Sequence, residues 1–140
     1  WRQDLKALFD HLRDLEKHYP GVEYSLSFPR LQKVAGDLNN YQSISDQDML
    51  EIIATTRLMF PRVGINLSTR ESAAFRDKIL EYGVTKMSAG SSTKVGGYNE
   101  KAGTGQFAIN DERSLAEVKE MLIKKGFDPV ITDWRNIGNF

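Results

Sequence analysis

The fold is decided by residues 63–88, which read VGINLSTRESAAFRDKILEYGVTKMS. Residues 63–68 have the short apolar pattern of a strand, and the spacing after them predicts a helix that runs to Leu80. Gly83 marks the end of this helix, and residues 84–88 form the next strand pattern. A strand, a helix and a strand in this order predict two parallel strands joined by a right-handed crossover.

The same alternation extends toward the N-terminus. Apolar residues at three- and four-residue steps predict a helix over residues 4–18, and alternating side chains predict a strand over residues 22–28. Residues 31–43 have no periodicity and predict a long loop of the kind that often carries function. A second helix is predicted between Ser45, which opens a capping box, and Phe60.

Toward the C-terminus the pattern predicts one more helix. Ser114 and Glu117 form a complete capping box, and Gly126 is placed where a helix ends. Residues 129–134 predict a last short strand or an extended tail. The chain is therefore expected to have an α/β fold with about three parallel strands and flanking helices.

Three parallel strands are too few for a complete fold of this type. They cannot close a barrel, and an open sheet of this size buries its faces poorly. The first residue is Trp1 instead of Met. We therefore expect residues 1–140 to be a single domain excised from a longer protein, without its N-terminal strands. Residues 89–140 are expected to form a tail region, since glycine and hydroxyl side chains become frequent there.

The composition excludes several classes of function. The 140 residues contain 19 basic and 19 acidic side chains, which argues against a nucleic-acid or anionic membrane surface. No apolar run approaches the length of a membrane span, and no signal peptide opens the chain. The absence of cysteine excludes a disulfide framework, a thiolate nucleophile and a thiolate-bound cluster within these residues. A cytoplasmic protein is expected.

Polar residues follow each of the three predicted strands, at residues 27–30, 68–71 and 88–92. Because the carboxyl ends of parallel strands meet at one edge of a sheet, these segments are expected to lie together. The guanidinium groups of Arg30 and Arg70 would suit a carboxylate or phosphate, which they can bind with paired hydrogen bonds. The sequence therefore predicts a site for an anionic ligand at this edge.

Each of these features also has an ordinary structural interpretation. Arg30 and Arg70 would also serve as surface ion-pair formers, and Ser68-Thr69 would also serve as the cap of the third helix. Asp111-Glu112 is predicted to be a solvated turn. The glycines at residues 96–97 lack the ending of a phosphate-binding loop and predict a flexible loop.

Several motifs, in order along the chain, resemble the C-terminal part of the radical S-adenosylmethionine tyrosine lyases. They are Ser27-Phe28-Pro29-Arg30, Leu67-Ser68-Thr69-Arg70-Glu71-Ser72 with Phe75-Arg76-Asp77, Met87-Ser88-Ala89-Gly90-Ser91 with Gly96-Gly97-Tyr98, Gln106-Phe107, Asp111-Glu112-Arg113-Ser114 and Asp133-Trp134. The branch of the family that acts in thiamine biosynthesis looks most similar. The hydrogenase-maturation branch is the alternative, but it typically has a further cysteine-bearing extension.

The resemblance implies a fold and a reaction for the complete protein. The fold would be a (βα) barrel, of which this chain is a partial barrel without the N-terminal half. A 4Fe-4S cluster and S-adenosylmethionine would generate a 5′-deoxyadenosyl radical, and L-tyrosine would be cleaved between Cα and Cβ to 2-iminoacetate and p-cresol. Thiazole synthase would then take the imine for the thiazole of thiamine.

One part of the family pattern is missing. The cluster motif CxxxCxxC lies near the start of the family's barrel, and these residues contain no cysteine. The resemblance therefore implies that the chain alone binds no cluster or other metal, holds no catalytic residue and is inactive.

The resemblance also implies which residues contact substrate or cosubstrate. Arg30 is the first choice as the partner of a ligand carboxylate. The other binding residues implied are Ser68, Thr69, Arg70, Ser88, Gly90 and Ser91. The sequence does not divide them between L-tyrosine and S-adenosylmethionine.

Two other classes of function stay open on the residues alone. One is a small anion-binding module that uses the same arginines and serines. The other is an interaction domain, since unpaired strand edges associate readily. For the same reason, the chain is expected to self-associate.

Overall fold

The computed structural model of the chain describes residues 1–30, 43–92 and 109–131. Helices and strands alternate in the order that the sequence predicts. The elements are α1 (Arg2–His18), β1 (Ser25–Ser27), α2 (Asp46–Met59), β2 (Gly64–Leu67), α3 (Ala73–Ile79), a 3₁₀ turn (Leu80–Tyr82), β3 (Lys86–Met87) and α4 (Leu115–Lys124). The loop predicted over residues 31–43 lies outside the described residues except for Ser43, and so do residues 93–108 and 132–140 of the predicted tail region.

The three strands form one parallel sheet in the order β1-β2-β3. Ser27 of β1 lies opposite Asn66 of β2, and Asn66 lies opposite Lys86 of β3. The predicted parallel order is therefore confirmed. Closure of such a sheet into a barrel needs strands beyond these three, so the barrel remains a prediction.

One face of the sheet packs against the helices. Ile65 and Leu67 point from β2 to this face and are buried. They form a core with Met49 and Ile53 of α2 and Phe75 and Ile79 of α3. Burying each large apolar side chain stabilises a fold by about 1.5 to 3 kcal/mol. This core fixes α2 and α3 against the middle strand.

A second core joins α1 to the amino end of the sheet. Phe9 and Leu12 of α1 pack with Phe60 and Val63, and the rings of Phe9 and Phe60 meet edge to face with centroids 5.1 Å apart. Leu26 of β1 packs against this cluster. The apolar stripe predicted for the first helix therefore serves to cover the β1 and β2 end of the sheet.

The start of α3 differs from the prediction. The sequence places it directly after Ser68, whereas it begins at Ala73 with Ser72 as its N-cap, and the Ser72 hydroxyl accepts a hydrogen bond from Phe75 N. Ser68 and Thr69 are therefore not the helix cap. The capping boxes predicted at Ser45 and Ser114 are confirmed.

Regular structure ends with α4 in the described part of the chain. Residues 129–131 form no strand, and residues 132–134 of the predicted last element lie outside the described residues. Within residues 1–30, 43–92 and 109–131, no helix combines the length and apolar character needed to cross a membrane.

Candidate ligand-binding edge of the sheet

The three strands end at the same edge of the sheet because they are parallel. We call the segments that follow them, residues 28–30, 68–72 and 88–92, the rim. The rim segments after β2 and β3 begin in register, since Ser88 N donates to Leu67 O at 3.0 Å. The structure thus brings the three predicted polar segments to one edge.

Arg30 is held by acidic partners on the helix-covered side of this edge. Its Nε donates to Glu71 Oε1 at 2.9 Å, its Nη2 donates to Glu71 Oε2, and its Nη1 donates to Asp46 Oδ1 at 2.7 Å. The guanidinium also lies over the Phe75 ring, 4.8 Å from its centroid. The hydrogen bonds that Arg30 donates to the Glu71 carboxylate raise the pKa of Arg30 above its ordinary value.

These contacts support one of the two interpretations that the sequence left open for Arg30. It is an ion-pair former, but only 18% of its side chain is exposed, so it is not an ordinary surface arginine. A ligand carboxylate would have to share the guanidinium with Glu71 and Asp46. The role of Arg30 as the partner of a ligand carboxylate stays a prediction.

The segment after β2 is held by hydrogen bonds to its backbone. The Ser68 hydroxyl accepts from Arg70 N at 3.4 Å. Thr69 is buried, and its carbonyl oxygen accepts from the backbone nitrogens of Asn110 and Asp111 at 3.0 and 3.1 Å. Arg70 is half-buried. Ser68, Thr69 and Arg70 therefore lie at the rim as expected, while their contact with a ligand stays a prediction.

The segment after β3 is more open. Ser88 and Gly90 are exposed, and Ser91 is half-buried. Gly90 adopts a positive φ of 58°, a conformation that favours glycine. Its backbone nitrogen donates to Arg113 O at 3.0 Å. These three residues also belong to the rim, and their contact with a ligand is likewise a prediction.

The sequence analysis missed a polar face of the sheet. The side chains that alternate with the apolar ones point away from the helices: Ser25 and Ser27 in β1, Asn66 in β2 and Lys86 in β3. Asn66 Oδ1 is buried, and no donor from the described residues reaches it. The signal was present in the alternation of Ser25-Leu26-Ser27, which we used only to predict a strand.

A buried charge network lies behind the rim. Arg76 of α3 and Asp111 are 0% and 1% exposed, and Arg76 Nη1 donates to Asp111 Oδ2. Arg113 donates from Nε to Asp111 Oδ1 at 2.9 Å and from Nη2 to Asp77 Oδ1 at 2.8 Å. Hydrogen bonds from Arg113, and then from Arg76, lower the pKa of Asp111 to about 2.

This network corrects the prediction of a solvated turn at residues 111–112. Glu112 is exposed, but Asp111 is fully buried because two arginines compensate its charge. A buried carboxylate without such partners would be costly. The prediction was wrong because the partner on α3 is distant in sequence.

The residues of this chain do not fit an iron–sulfur cluster. Such clusters are held by cysteine thiolates, and the 140 residues contain no cysteine. Within the described ranges, no group of three histidine or acidic residues is placed to hold a metal ion.

Residues 27–128 match the model of a protein family described as the Biotin and Thiamin Synthesis associated domain. The matched range contains all three rim segments and the buried charge network. The sequence is also 35% identical over 135 residues to the 2-iminoacetate synthases of Escherichia coli and Salmonella typhimurium. The match covers 96% of this chain and 36% of each relative, so the chain spans about a third of their length.

Two solved structures have the same fold. One is the FeFe-hydrogenase maturase HydG from Carboxydothermus hydrogenoformans, with a TM-score of 0.74 and 40% identity over 88% of this chain and 28% of that protein. The other is a crystal structure of HydG with a TM-score of 0.81 and 32% identity, over 91% of this chain and 28% of that one.

Proposed function

The chain belongs to the Biotin and Thiamin Synthesis associated domain family, and on that premise we propose that it is the C-terminal part of a radical S-adenosylmethionine tyrosine lyase. The reaction proposed for the complete enzyme is that of 2-iminoacetate synthase, which cleaves L-tyrosine between Cα and Cβ to 2-iminoacetate and p-cresol. The observation that carries this proposal is the 35% identity to two 2-iminoacetate synthases over 96% of the chain.

The radical chemistry belongs to groups that this chain does not ligate. The enzyme would use a 4Fe-4S cluster and S-adenosylmethionine, and its cluster cysteines would have to lie outside these 140 residues. What remains for this chain is to bind and orient the substrate and to exclude water from it.

The rim and the polar face supply groups suited to an amino acid. The Ser68 and Ser88 hydroxyls, one residue beyond β2 and β3, would donate to a carboxylate or a phenol oxygen. Asn66 Oδ1 would accept from an ammonium or phenol group, because its buried oxygen would gain a hydrogen bond that no described residue gives it. Arg30 and Arg70 would add guanidinium donors at the edge, with Arg30 shared between the ligand, Glu71 and Asp46.

The proposal is tested on the full-length protein that contains this chain. After anaerobic cluster reconstitution, it should convert L-tyrosine, with S-adenosylmethionine and a reductant, to equal amounts of p-cresol and 2-iminoacetate, which is detected as glyoxylate. The 140-residue chain alone is the control and should give no product. Reductive cleavage of S-adenosylmethionine without any p-cresol would contradict a tyrosine lyase.

A hydrogenase-maturation function is the second candidate. The identity to the HydG of Carboxydothermus hydrogenoformans is 40%, compared with 35% for the 2-iminoacetate synthases. Genetic complementation distinguishes the two candidate functions. The full-length gene should restore growth without thiamine to a strain lacking 2-iminoacetate synthase, where thiazole synthase is the partner, and should not restore hydrogenase activity to a maturation mutant. The reverse result would favour the second candidate.

A further inference from the structure

Residues 110–113, which we call the clip, hold the rim segment that follows β2. The backbone nitrogens of Asn110 and Asp111 both donate to Thr69 O, at 3.0 and 3.1 Å. The Asn110 side chain adds a hydrogen bond from Nδ2 to Arg70 O at 2.7 Å. Two successive carbonyl groups of this rim segment are therefore bound by the clip.

The clip also holds the rim segment that follows β3. Arg76 donates from Nη1 to Asp111 Oδ2 and from Nη2 to Ser88 O, so one guanidinium joins the clip to this segment. Two residues further on, Gly90 N donates to Arg113 O at 3.0 Å. Both rim segments are thus bound to the clip, the first through Asn110 and Asp111 and the second through Asp111 and Arg113.

The connection is rigid because it is buried and charged. Arg76 and Asp111 are fully buried. Arg113, which is more exposed, binds both Asp111 and Asp77. Removing Asp111 would leave the buried charge of Arg76 uncompensated, and removing Arg76 would take one of two arginine partners from Asp111, which is unfavourable in both cases. The network therefore has one arrangement, and that arrangement fixes the spacing of the two segments.

We propose that Asn110, Asp111 and Arg76 are positioning residues for the substrate site, which set the distance between the rim segments at residues 68–70 and 88–90. This inference rests on the proposed function, because both segments must then contact the same L-tyrosine molecule. None of the three needs to touch the ligand. Their effect passes through the carbonyl groups of Thr69, Arg70 and Ser88.

Two variants of the full-length enzyme test the inference. Asn110→Ala removes an exposed side chain and only its bond to Arg70 O. Arg76→Lys keeps a positive charge but cannot reach Asp111 and Ser88 together. A misplacement of about 1 Å can cost up to a hundredfold in turnover, so we expect the KM for L-tyrosine to rise about tenfold in each variant. Cleavage of S-adenosylmethionine without tyrosine should not change.

The control is Lys119→Ala, on the exposed side of α4, which should leave the KM unchanged. Amide hydrogen exchange provides the second measurement. In Arg76→Lys, exchange should accelerate in both rim segments, including residues 68–70, where the carbonyl groups of Thr69 and Arg70 bind the clip. If Arg76→Lys does not fold, Asn110→Ala decides.

The outcomes separate this inference from the proposed function. A folded Asn110→Ala enzyme with an unchanged KM would overturn the inference while the lyase remains. If the wild type does not cleave L-tyrosine, the proposed function fails. Amide hydrogen exchange in Arg76→Lys then still tests whether the clip connects the two rim segments. Acceleration in neither rim segment would then overturn it.

Discussion

Arg30 donates from Nε and Nη2 to the two carboxylate oxygens of Glu71, a residue 41 positions further along the chain. The pair joins the segment after β1 to the segment after β2, and the bond from Arg30 to Asp46 adds the start of α2. Paired hydrogen bonds of this kind fix geometry as well as adding stability. The arginine that the sequence marks as a ligand partner is therefore also part of what holds the rim in shape.

We expect Glu71→Gln to lower the free energy of unfolding by about 2 to 4 kcal/mol. The glutamine would keep the shape of the side chain but lose the charge, and Arg30 would remain largely buried with Asp46 alone. Urea unfolding of the two proteins measures the difference. The matched control is Glu120→Gln, which breaks an exposed pair with Lys124 and should cost less than about 0.5 kcal/mol. Equal losses in the two variants would contradict the structural role of the pair.

The ends of the helices were predictable because the groups that determine them are close in sequence. Ser45 and Ser114 bind backbone nitrogens three residues away, and Gly83 has the positive φ of 113° that ends a helix. The buried network was not predictable in this way. Asp111 and Arg76 are 35 residues apart, and an acidic pair before a helix is usually solvated.

The candidate site was predictable only in part. Parallel order brings the three polar segments to one edge, and the sequence was sufficient for that. It does not indicate on which side of the sheet each side chain lies. Arg30 turns toward the helix layer because its guanidinium lies over the Phe75 ring and donates to Glu71 there. Both partners are more than 40 residues away in sequence, so the local pattern does not indicate them.

The corrected start of α3 leads to a second prediction. Ser72→Ala should lower the free energy of unfolding by about 1 kcal/mol, because the hydroxyl that caps Phe75 N would be lost. Ser68→Ala is the matched control and should cost less than about 0.5 kcal/mol. Thermal or urea unfolding measures both. A larger loss of unfolding free energy in Ser68→Ala than in Ser72→Ala would instead support the helix start that the sequence predicted.

Gly83 supplies a third prediction. A Cβ at this position would lie 2.8 Å from Arg57 Cγ, and the positive φ disfavours any side chain. Arg57 also donates to Gly83 O, from Nη2 at 2.7 Å. Gly83→Ala should therefore cost about 1 to 3 kcal/mol. Gly21→Ala, with nothing within 4 Å, should change stability by less than about 1 kcal/mol. Similar losses in the free energy of unfolding for the two variants, measured with urea, would contradict a steric and conformational requirement for glycine at residue 83.

A fourth prediction concerns association of the 140-residue chain. β1 and β3 are the edge strands of the described sheet, and the face that carries Ser27, Asn66 and Lys86 points away from the helices. Unpaired strand edges promote pairing with another chain, so we expect the sedimentation coefficient to rise with protein concentration. The full-length protein, in which further strands would cover these edges, serves as the comparison. A single monomeric species at high concentration would contradict this prediction.

The pH dependence of stability should depend on Asp111. Because its pKa is lowered to about 2 by Arg113 and Arg76, the unfolded chain, with an ordinary value near 4, binds the proton first as the pH falls. The stabilisation is therefore complete above about pH 5 and is lost between about pH 4 and pH 2. Its size is about 2 kcal/mol.

Asp111→Asn isolates this contribution. The variant should be less stable at neutral pH, because Arg76 stays buried without its partner, but its urea midpoint should fall less steeply than that of the wild type between pH 4 and pH 2. Lys119→Ala, which alters no group that titrates in this range, should follow the wild-type slope. A variant curve parallel to the wild type would mean that Asp111 titrates alike in the folded and unfolded chain. The two arginines would then not hold its charge, and the rigidity we infer for the clip would lose its physical basis.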